Sequence, residues 1–218
     1  MIRVVLVDDQ FVVRAGFRVM LEIAEDIEVV GECADGPSAV ELVERLRPDV
    51  VCMDVRMPGG DGLTATREIL ACSSGKPPAI LVVTTFDLDE YVFKALEVGA
   101  SGFILKDTPP DDLVEAVRRL ADGHGLVDHT VTRRVIAEFA KRRSMNREVS
   151  EAHGLLTERE LDIVRLLSRG MSNVEIAESL TIEPSTVKSH LGRVMTKIGV
   201  RDRLQTVVWA YRNGVATP

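Results

Sequence analysis

The chain has 218 residues, a length that fits one large domain or two small ones. Its net charge of −7 conceals an asymmetry, because residues 1–123 carry a net charge of −11 and residues 124–218 a net charge of +4. This difference favours two domains with different roles. Because the second part of the chain is basic, the acidity of the whole chain does not argue against a nucleic-acid partner. No apolar run approaches the roughly 18 residues of a membrane span, and the first residues lack the layout of a signal peptide, so we expect a cytoplasmic protein without a membrane partner.

The N-terminal half alternates short apolar runs with segments of helical periodicity. The predicted strands lie at 3–7, 27–32, 49–53, 79–85 and 102–105, and the predicted helices at 11–21, 37–47, 63–70, 91–98 and 108–122. Five strand–helix pairs predict a doubly wound parallel sheet covered on both faces, because parallel strands need crossover helices. The last of these helices is predicted to start with Thr108 as N-cap and Pro109 as first residue.

Polar residues follow the predicted strands at the points where the strands end. They are Asp8 and Asp9, Asp54, Thr84, and Lys106. Since the carboxyl ends of parallel strands meet at one edge of a sheet, we expect these side chains to lie together. Helix capping explains any one of the Asp or Thr residues, but it does not explain a lysine among three carboxylates.

The chemistry of this group points to phosphoryl transfer. Three neighbouring carboxylates repel one another, and Mg²⁺, a hard cation that takes oxygen ligands, removes that repulsion. Lys106 adds a charge that can hold a phosphoryl oxygen. With a metal ion, this ammonium and the Thr84 hydroxyl around it, Asp54 is a candidate nucleophile toward phosphorus. We therefore expect the protein to carry a phosphate on Asp54.

The same residues lie in motifs of a known family. VDD at 7–9, MDVRMPGGDG at 53–62, VVTT at 82–85 and GFILKD at 102–107 resemble the receiver domain of two-component response regulators. The resemblance covers residues 2–122 and implies a flavodoxin-like five-stranded fold. It also implies that Asp54 accepts phosphate from the phosphohistidine of a sensor histidine kinase.

The resemblance further assigns roles to the residues around Asp54. Asp9, Asp54 and the Arg56 backbone carbonyl would bind Mg²⁺ directly, with Asp8 bound through water. Lys106 would contact the phosphate, Thr84 would be the switch hydroxyl, and Phe103 the aromatic residue that changes rotamer with it. Asp107 departs from the family pattern, in which a proline after a cis bond is common, so the isomer of the Lys106–Asp107 bond stays open.

The periodicity of the first domain ends near Gly123. We predict a receiver domain over 1–122, a linker over 123–153 with one helix at 130–143, and a second domain over 154–218. Four helices are predicted in the second domain, at about 158–168, 173–180, 184–198 and 203–213. Only residues 181–183 separate the second helix from the third, a spacing typical of a helix-turn-helix whose second helix enters the DNA major groove.

The predicted recognition helix over 184–198 has two distinct faces. Its inward face is apolar and consists of Val187, Leu191, Val194, Met195 and Ile198. Its outward face carries small and basic residues, namely Ser185, Lys188, Ser189, Gly192 and Arg193. Basic residues on an outward helix face are often only solvated, but the preceding tight turn favours DNA binding.

The segment from Leu155 to about 216 resembles the LuxR-type helix-turn-helix of the NarL/FixJ response regulators. The resemblance implies base contacts by Lys188, Ser189 and either Gly192 or Arg193. It implies phosphate contacts by Ser185, Thr186 and Lys197, and contact with a dimer partner by the helix of Val207, Val208 and Trp209. Gly192 has no side chain to read a base, so the neighbour that specifies sequence stays open, with Lys188 favoured because lysine donates to guanine O6 and N7.

The patterns together predict a phosphorylation-dependent transcription factor that dimerises on promoter DNA and is not a turnover enzyme. Two alternatives remain. A Mg²⁺-dependent phosphatase would use Asp54 as a transient nucleophile, but it needs a second carboxylate as general acid or base, and the residue two positions beyond Asp54 is Arg56. A binding module that never receives phosphate would use Asp54 only structurally.

Overall fold

The computed structural model describes residues 1–58, 60–72, 76–84, 89–123 and 155–216. The chain divides into two compact units, Met1–Leu126 and Val127–Pro218. Apart from Gly123, the predicted linker lies outside the described residues, as does its predicted helix over 130–143. None of the described helices is both long and apolar enough to cross a membrane.

The first unit is built on a five-stranded parallel sheet, as predicted. Its strands are β1 (Ile2–Val7), β2 (Ile27–Cys33), β3 (Val50–Asp54), β6 (Ala79–Thr84) and β7 (Gly102–Leu105), with a two-stranded hairpin of β4 (Arg56–Met57) and β5 (Gly60–Asp61) after β3. Its helices are α1 (Phe11–Glu22), α2 (Gly36–Leu46), α3 (Gly62–Cys72), α4 (Asp89–Val98) and α5 (Pro110–Ala121). The order in the sheet is β2-β1-β3-β6-β7, and every neighbouring pair is parallel.

The strands are almost entirely apolar because helices cover both faces of the sheet. Alternate residues of the central strands, such as Val4, Val50 and Leu81, share one core with buried residues of α1 and α5. On the other side, α3 contacts both α2 and α4. This arrangement places the carboxyl ends of all five strands at one edge of the sheet.

Two local features differ from the sequence prediction. The predicted start of α5 is wrong by one residue, because Pro109 is the N-cap and the helix begins at Pro110. The Thr108 N–H instead donates to the Leu105 carbonyl in the turn after β7, and the Pro109 carbonyl accepts from Leu113 N–H. The β4–β5 hairpin was not predicted, since strands of two residues carry no periodicity.

The second unit contains four helices within one residue of the predicted bounds. They are α6 (Glu158–Leu167), α7 (Asn173–Leu180), α8 (Pro184–Ile198) and α9 (Arg203–Arg212). Their apolar faces share a core that includes Leu161, Ile176, Leu191 and Tyr211. Residues 181–183 connect α7 to α8, so the predicted helix-turn-helix is present.

The helix starts of this unit follow from local cap chemistry. Thr157 with Glu160 and Ser172 with Glu175 form reciprocal capping boxes. The Asp202 side chain accepts from Gln205 N–H at the start of α9. Thr181 ends α7 in the left-handed conformation with φ of 54°, which turns the chain sharply before α8.

Candidate functional sites

At the ends of three strands, one ammonium group lies between two carboxylates. Asp8 follows β1, Asp54 is the last residue of β3, and Lys106 follows β7. The Lys106 Nζ lies 2.8 Å from Asp54 Oδ2 and 2.5 Å from Asp8 Oδ2. All three side chains are nearly buried, so solvent screens these charges only weakly. The juxtaposition predicted from the strand-end pattern is therefore present.

Asp9 completes an acidic cluster with oxygen ligands at metal-binding spacing. One carboxylate oxygen from each of Asp8, Asp9 and Asp54 lies within 4.8 Å of the others. Asp9 Oδ1 is buried and has no hydrogen-bond partner among the described residues. A buried carboxylate oxygen without a partner is costly, and a hard divalent cation is a suitable partner for it. The donor set therefore fits Mg²⁺.

Burial and hydrogen bonding have opposite effects on the pKa values of Asp54 and Lys106. Burial raises the pKa of Asp54 and outweighs the opposing hydrogen bond from Lys106, while the Asp8 charge raises it further. Burial lowers the pKa of Lys106, but its bonds to Asp54 and Asp8 outweigh burial, so that pKa lies above its ordinary value. The ammonium thus stays charged, and an additional cation would favour the ionised form of Asp54.

Thr84 lies on β6, the strand beside that of Asp54, and Phe103 lies on β7, one strand further along the sheet. Thr84 is the buried last residue of β6, and its carbonyl accepts from the Lys106 N–H at 2.8 Å. Phe103 pairs with Val82 across β6 and β7 and is also buried. The Lys106–Asp107 peptide bond is trans, since the described backbone contains no cis bond.

The segment after Asp54 folds back against its backbone. The Arg56 N–H donates to Asp54 Oδ1 at 3.3 Å, which places the Arg56 backbone beside the carboxylate. A Cβ added to Gly62 would lie 1.9 Å from the Asp54 carbonyl oxygen. The Gly62 N–H also donates to the Val55 carbonyl. Gly62 thus permits a close approach that positions Asp54, a role that sequence reasoning missed because a glycine in a Pro/Gly-rich stretch reads as a turn residue.

Arg14 stabilises the loop that carries Asp8 and Asp9, a role that sequence reasoning also missed. Its Nη1 donates to the Asp8 carbonyl at 2.6 Å, and its Nε bonds to Glu32 at 3.2 Å. Arg18 binds the same carboxylate at 2.5 Å, but its other bonds go to Glu22 and the Val29 carbonyl. An arginine on an amphipathic helix gave no sequence signal for this role.

The recognition helix α8 presents the residues predicted for DNA contact. Val187, Leu191 and Val194 are buried in the domain core. The outward residues are exposed or half-exposed, and they are Ser185, Thr186, Lys188, Ser189, Gly192 and Arg193. The predicted outward face therefore agrees with the structure, and so does the inward face except for Met195, which is only half-buried. Base and phosphate contacts stay predictions.

Lys197 has an internal partner that the sequence did not reveal. Its Nζ lies 2.6 and 2.8 Å from the two carboxylate oxygens of Glu160, which also caps α6 through Thr157. Burial raises the pKa of Glu160, but the bonds from Lys197 and Thr157 prevail and lower it to about 2. Any phosphate contact by Lys197 would compete with this ion pair.

The three residues predicted for dimer contact differ in exposure. Val207 and Val208 are 3% and 1% exposed, and Val207 packs in the core of this domain. The half-buried Trp209 and the exposed Arg212 lie on the outer part of α9. Contact of this helix with a dimer partner stays a prediction.

Comparisons with known proteins agree with both units. The family model of the response regulator receiver domain matches residues 4–118, and that of the luxR family of bacterial regulatory proteins matches residues 154–210. The uncharacterized transcriptional regulatory protein YxjL of Bacillus subtilis is 39% identical over 216 residues, covering 98% of this chain and 97% of that protein. The transcriptional regulatory protein LiaR of the same organism is 39% identical, covering 98% of each chain.

Solved structures lead to the same family. The response regulator ChrA of a heme-sensing two-component system is 35% identical, with a TM-score of 0.52 over 98% of each chain. The RcsB response regulator of Salmonella typhimurium is 26% identical, with a TM-score of 0.57 over 96% of this chain and 98% of that one. The chain therefore belongs to the two-component response regulators that join a receiver domain to a LuxR-type DNA-binding domain, a family of transcriptional regulators rather than of turnover enzymes.

Proposed function

We propose that this regulator is switched by a phosphate on Asp54, which it accepts from the phosphohistidine of a sensor histidine kinase. The observation that carries the proposal is the Lys106 ammonium, 2.8 Å from Asp54 and 2.5 Å from Asp8. A buried lysine between strand-end carboxylates serves no capping purpose, but it is suited to holding a phosphoryl oxygen.

In the proposed transfer, an Asp54 carboxylate oxygen attacks the phosphorus atom. The bond from phosphorus to one histidine nitrogen breaks, and that nitrogen keeps the electron pair. Because the other ring nitrogen of the phosphohistidine carries a proton, the histidine leaves as neutral imidazole. Lys106 moves its hydrogen bond from Asp54 to a phosphoryl oxygen while Asp8 continues to hold the ammonium. Asp8, Asp9, Asp54 and the Arg56 carbonyl would hold Mg²⁺, which when bound neutralises charge on the phosphoryl oxygens.

The proposed response to phosphorylation begins at the neighbouring strand ends. The phosphoryl group adds about −1.5 to −2 charges beside the buried Thr84, whose hydroxyl would turn toward it. Phe103, buried on the adjacent β7, would change its rotamer in concert. These two residues would thus transmit the state of Asp54 to the surface formed by α4, β7 and α5.

The proposed docking surface for the kinase lies on α1. Val12, Val19 and Ile23 are 80%, 63% and 74% exposed, and their spacing of seven and four residues places these three side chains in one apolar seam along the helix. The seam starts directly after the acidic loop, where the Gln10 N–H donates to Asp8 Oδ1. A partner that must reach Asp54 would also reach this seam, so we assign it to the kinase.

The proposed output is dimerisation on promoter DNA. One short recognition helix reads few bases, and a two-fold pair joins two half-sites. Lys188 and Arg193 would contact base edges and phosphates from the exposed side of α8. The outer face of α9, with Trp209 and Arg212, is the proposed contact between copies.

Intact-mass measurement after incubation with acetyl phosphate and Mg²⁺ tests the phosphoacceptor. We expect one phosphoryl group on the wild-type chain, none on Asp54→Asn, and none when a chelator removes Mg²⁺. Equal labelling of Asp54→Asn would contradict the proposal. Continuous release of inorganic phosphate in large excess over protein would support the phosphatase alternative, and absence of labelling under all conditions would support the binding module.

A further inference from the structure

Gly192 occupies a position where glycine is unfavourable for the fold. It lies in the interior of the 15-residue α8, where glycine destabilises a helix relative to alanine. Among the described residues, apart from the backbone of its own helix, no heavy atom lies within 4 Å of a Cβ placed there. Its backbone is helical, unlike that of Gly199, which ends the helix with φ of 69°. Neither packing nor backbone conformation therefore explains a glycine at 192.

The surface at Gly192 forms a shallow depression, and the hydroxyl groups beside it have no free proton to donate. The Ser189 hydroxyl donates to the Ser185 carbonyl at 2.9 Å, and the Thr196 hydroxyl donates to the Gly192 carbonyl at 3.0 Å. Both hydroxyl protons are thus used by the helix itself. The exposed cations Lys188 and Arg193 flank this depression and place it on the face proposed to meet DNA.

A depression beside which the hydroxyl protons are already engaged is suited to an apolar group of the DNA. The major groove presents one such group, the C5 methyl of thymine, while the other base edges present hydrogen-bond donors and acceptors. We propose that Gly192 determines sequence specificity by leaving room for a thymine methyl group at one position of each half-site. This inference rests on the proposed DNA-binding function and adds to it a base preference that no side chain supplies.

The test combines a protein variant that gains a methyl group at position 192 with DNA duplexes that lack the methyl group of one thymine. Wild-type full-length protein, phosphorylated with acetyl phosphate and Mg²⁺, first selects a duplex from a random-sequence library. Each thymine of that duplex is then replaced by deoxyuridine, which lacks only the C5 methyl. We expect wild type to lose about fourfold in affinity at one position of each half-site, the effect of one buried methyl group.

The Gly192→Ala variant should reverse this preference. Its Cβ would occupy the space of the thymine methyl, so we expect at least about a tenfold loss on the selected duplex and a preference for deoxyuridine at the same position. Gly16→Ala is the matched control, because it also adds a methyl group to an exposed helix with no atom within 4 Å. This control should bind both duplexes as wild type does.

Two results would overturn the inference while leaving DNA binding intact. One is a Gly192→Ala variant that binds the selected duplex with wild-type affinity. The other is a Gly192→Ala variant that loses affinity equally at every duplex, with no reversal at any thymine. Failure of wild-type protein to enrich any sequence would instead contradict sequence-specific binding itself, and with it the inference.

Discussion

Single residues position the chemistry of Asp54 without touching a phosphate. Gly62 allows the start of α3 to pass directly over the Asp54 carbonyl, and Arg14 holds the Asp8 carbonyl from α1. Both act through the backbone of an acidic residue rather than through its carboxylate. Because the carboxylate spacing must suit a small metal ion, displacements of a few tenths of an ångström at either residue would affect the proposed metal binding and phosphorylation.

The first prediction concerns Gly62. Gly62→Ala places a Cβ 1.9 Å from the Asp54 carbonyl oxygen, so we expect a loss of about 1–3 kcal/mol in receiver-domain stability and slower labelling by acetyl phosphate. Circular dichroism during thermal unfolding measures the first effect and intact mass the second. Gly16→Ala, which meets no atom within 4 Å, should raise receiver stability by about 0.5–1 kcal/mol. Similar unfolding temperatures for the two variants would contradict the close approach.

The second prediction concerns Arg14. Arg14→Met removes the donor to the Asp8 carbonyl, and we expect Mg²⁺ affinity to fall about tenfold, as for other residues that orient metal ligands. Isothermal titration with MgCl₂ measures the effect. Arg18→Met is the matched control because Arg18 shares the Glu32 partner but bonds to a different carbonyl, that of Val29. An equal loss of affinity in both variants would show that Glu32 pairing, and not support of Asp8, matters.

At the scale of elements, an internal ion pair joins the recognition helix to α6. Lys197 near the end of α8 binds Glu160, which caps α6 through the Thr157 N–H and hydroxyl. Glu160 is 3% exposed, so removing its cation leaves a buried charge with a weaker set of partners. The pair therefore links the C-terminal end of α8 to the start of α6 within this domain.

The third prediction is the pH dependence of this pair. The pKa of Glu160 falls from 4.5 to about 2 on folding, so its stabilising contribution is complete above pH 4.5 and is lost as the pH falls toward 2. Glu160→Gln should remove this part of the pH dependence and cost about 2 kcal/mol at neutral pH. Trp209 is the only tryptophan in the chain, so its fluorescence during urea unfolding reports on this domain. Parallel pH curves for wild type and Glu160→Gln would contradict the assignment.

The fourth prediction tests the seam on α1. Val19→Glu should leave stability nearly unchanged, because this side chain is 63% exposed, and should leave labelling by acetyl phosphate unchanged. Phosphotransfer from whichever purified sensor kinase phosphorylates wild type should slow at least about tenfold, since a charge is placed in an apolar contact. Radiolabel transfer over time measures the rate. Arg45→Glu, an exposed change on α2, is the control, and equal rates for Val19→Glu and wild type would exclude the seam as the docking surface.

The elements show which features local sequence determines. Strand ends, capping boxes and the apolar face of α8 were predictable because their signals lie within a few residues of one another. Gly62, Arg14 and the partner of Lys197 were not, since each role depends on a contact with residues distant in sequence. The burial of Val207 and Val208 was not predictable for a related reason: a family resemblance identifies α9, but only packing determines which side of it is exposed.

For the whole molecule, the proposed phosphate on Asp54 would have to change DNA binding by the second unit. The receiver half is acidic and the DNA-binding half is basic, with net charges of −11 and +4 in residues 1–123 and 124–218. A switch from 1% to 99% active requires a preference of about 5.5 kcal/mol for the active state. The proposed pairing of two chains on two half-sites would supply part of this difference, because the second contact would then occur at a high effective concentration.

The fifth prediction follows from this coupling between Asp54 and dimerisation. Acetyl phosphate with Mg²⁺ should shift wild-type protein from monomer to dimer in sedimentation and raise its affinity for the selected duplex at least about tenfold. Asp54→Asn should show neither change, although it keeps the α8 surface and should retain the weak, salt-sensitive binding that basic residues give any DNA. If Asp54→Asn bound the selected duplex as tightly as phosphorylated wild type, DNA binding would not depend on the phosphate. If wild type gained affinity while it remained a monomer, the switch would act within one chain, and the outer face of α9 would lose its proposed role.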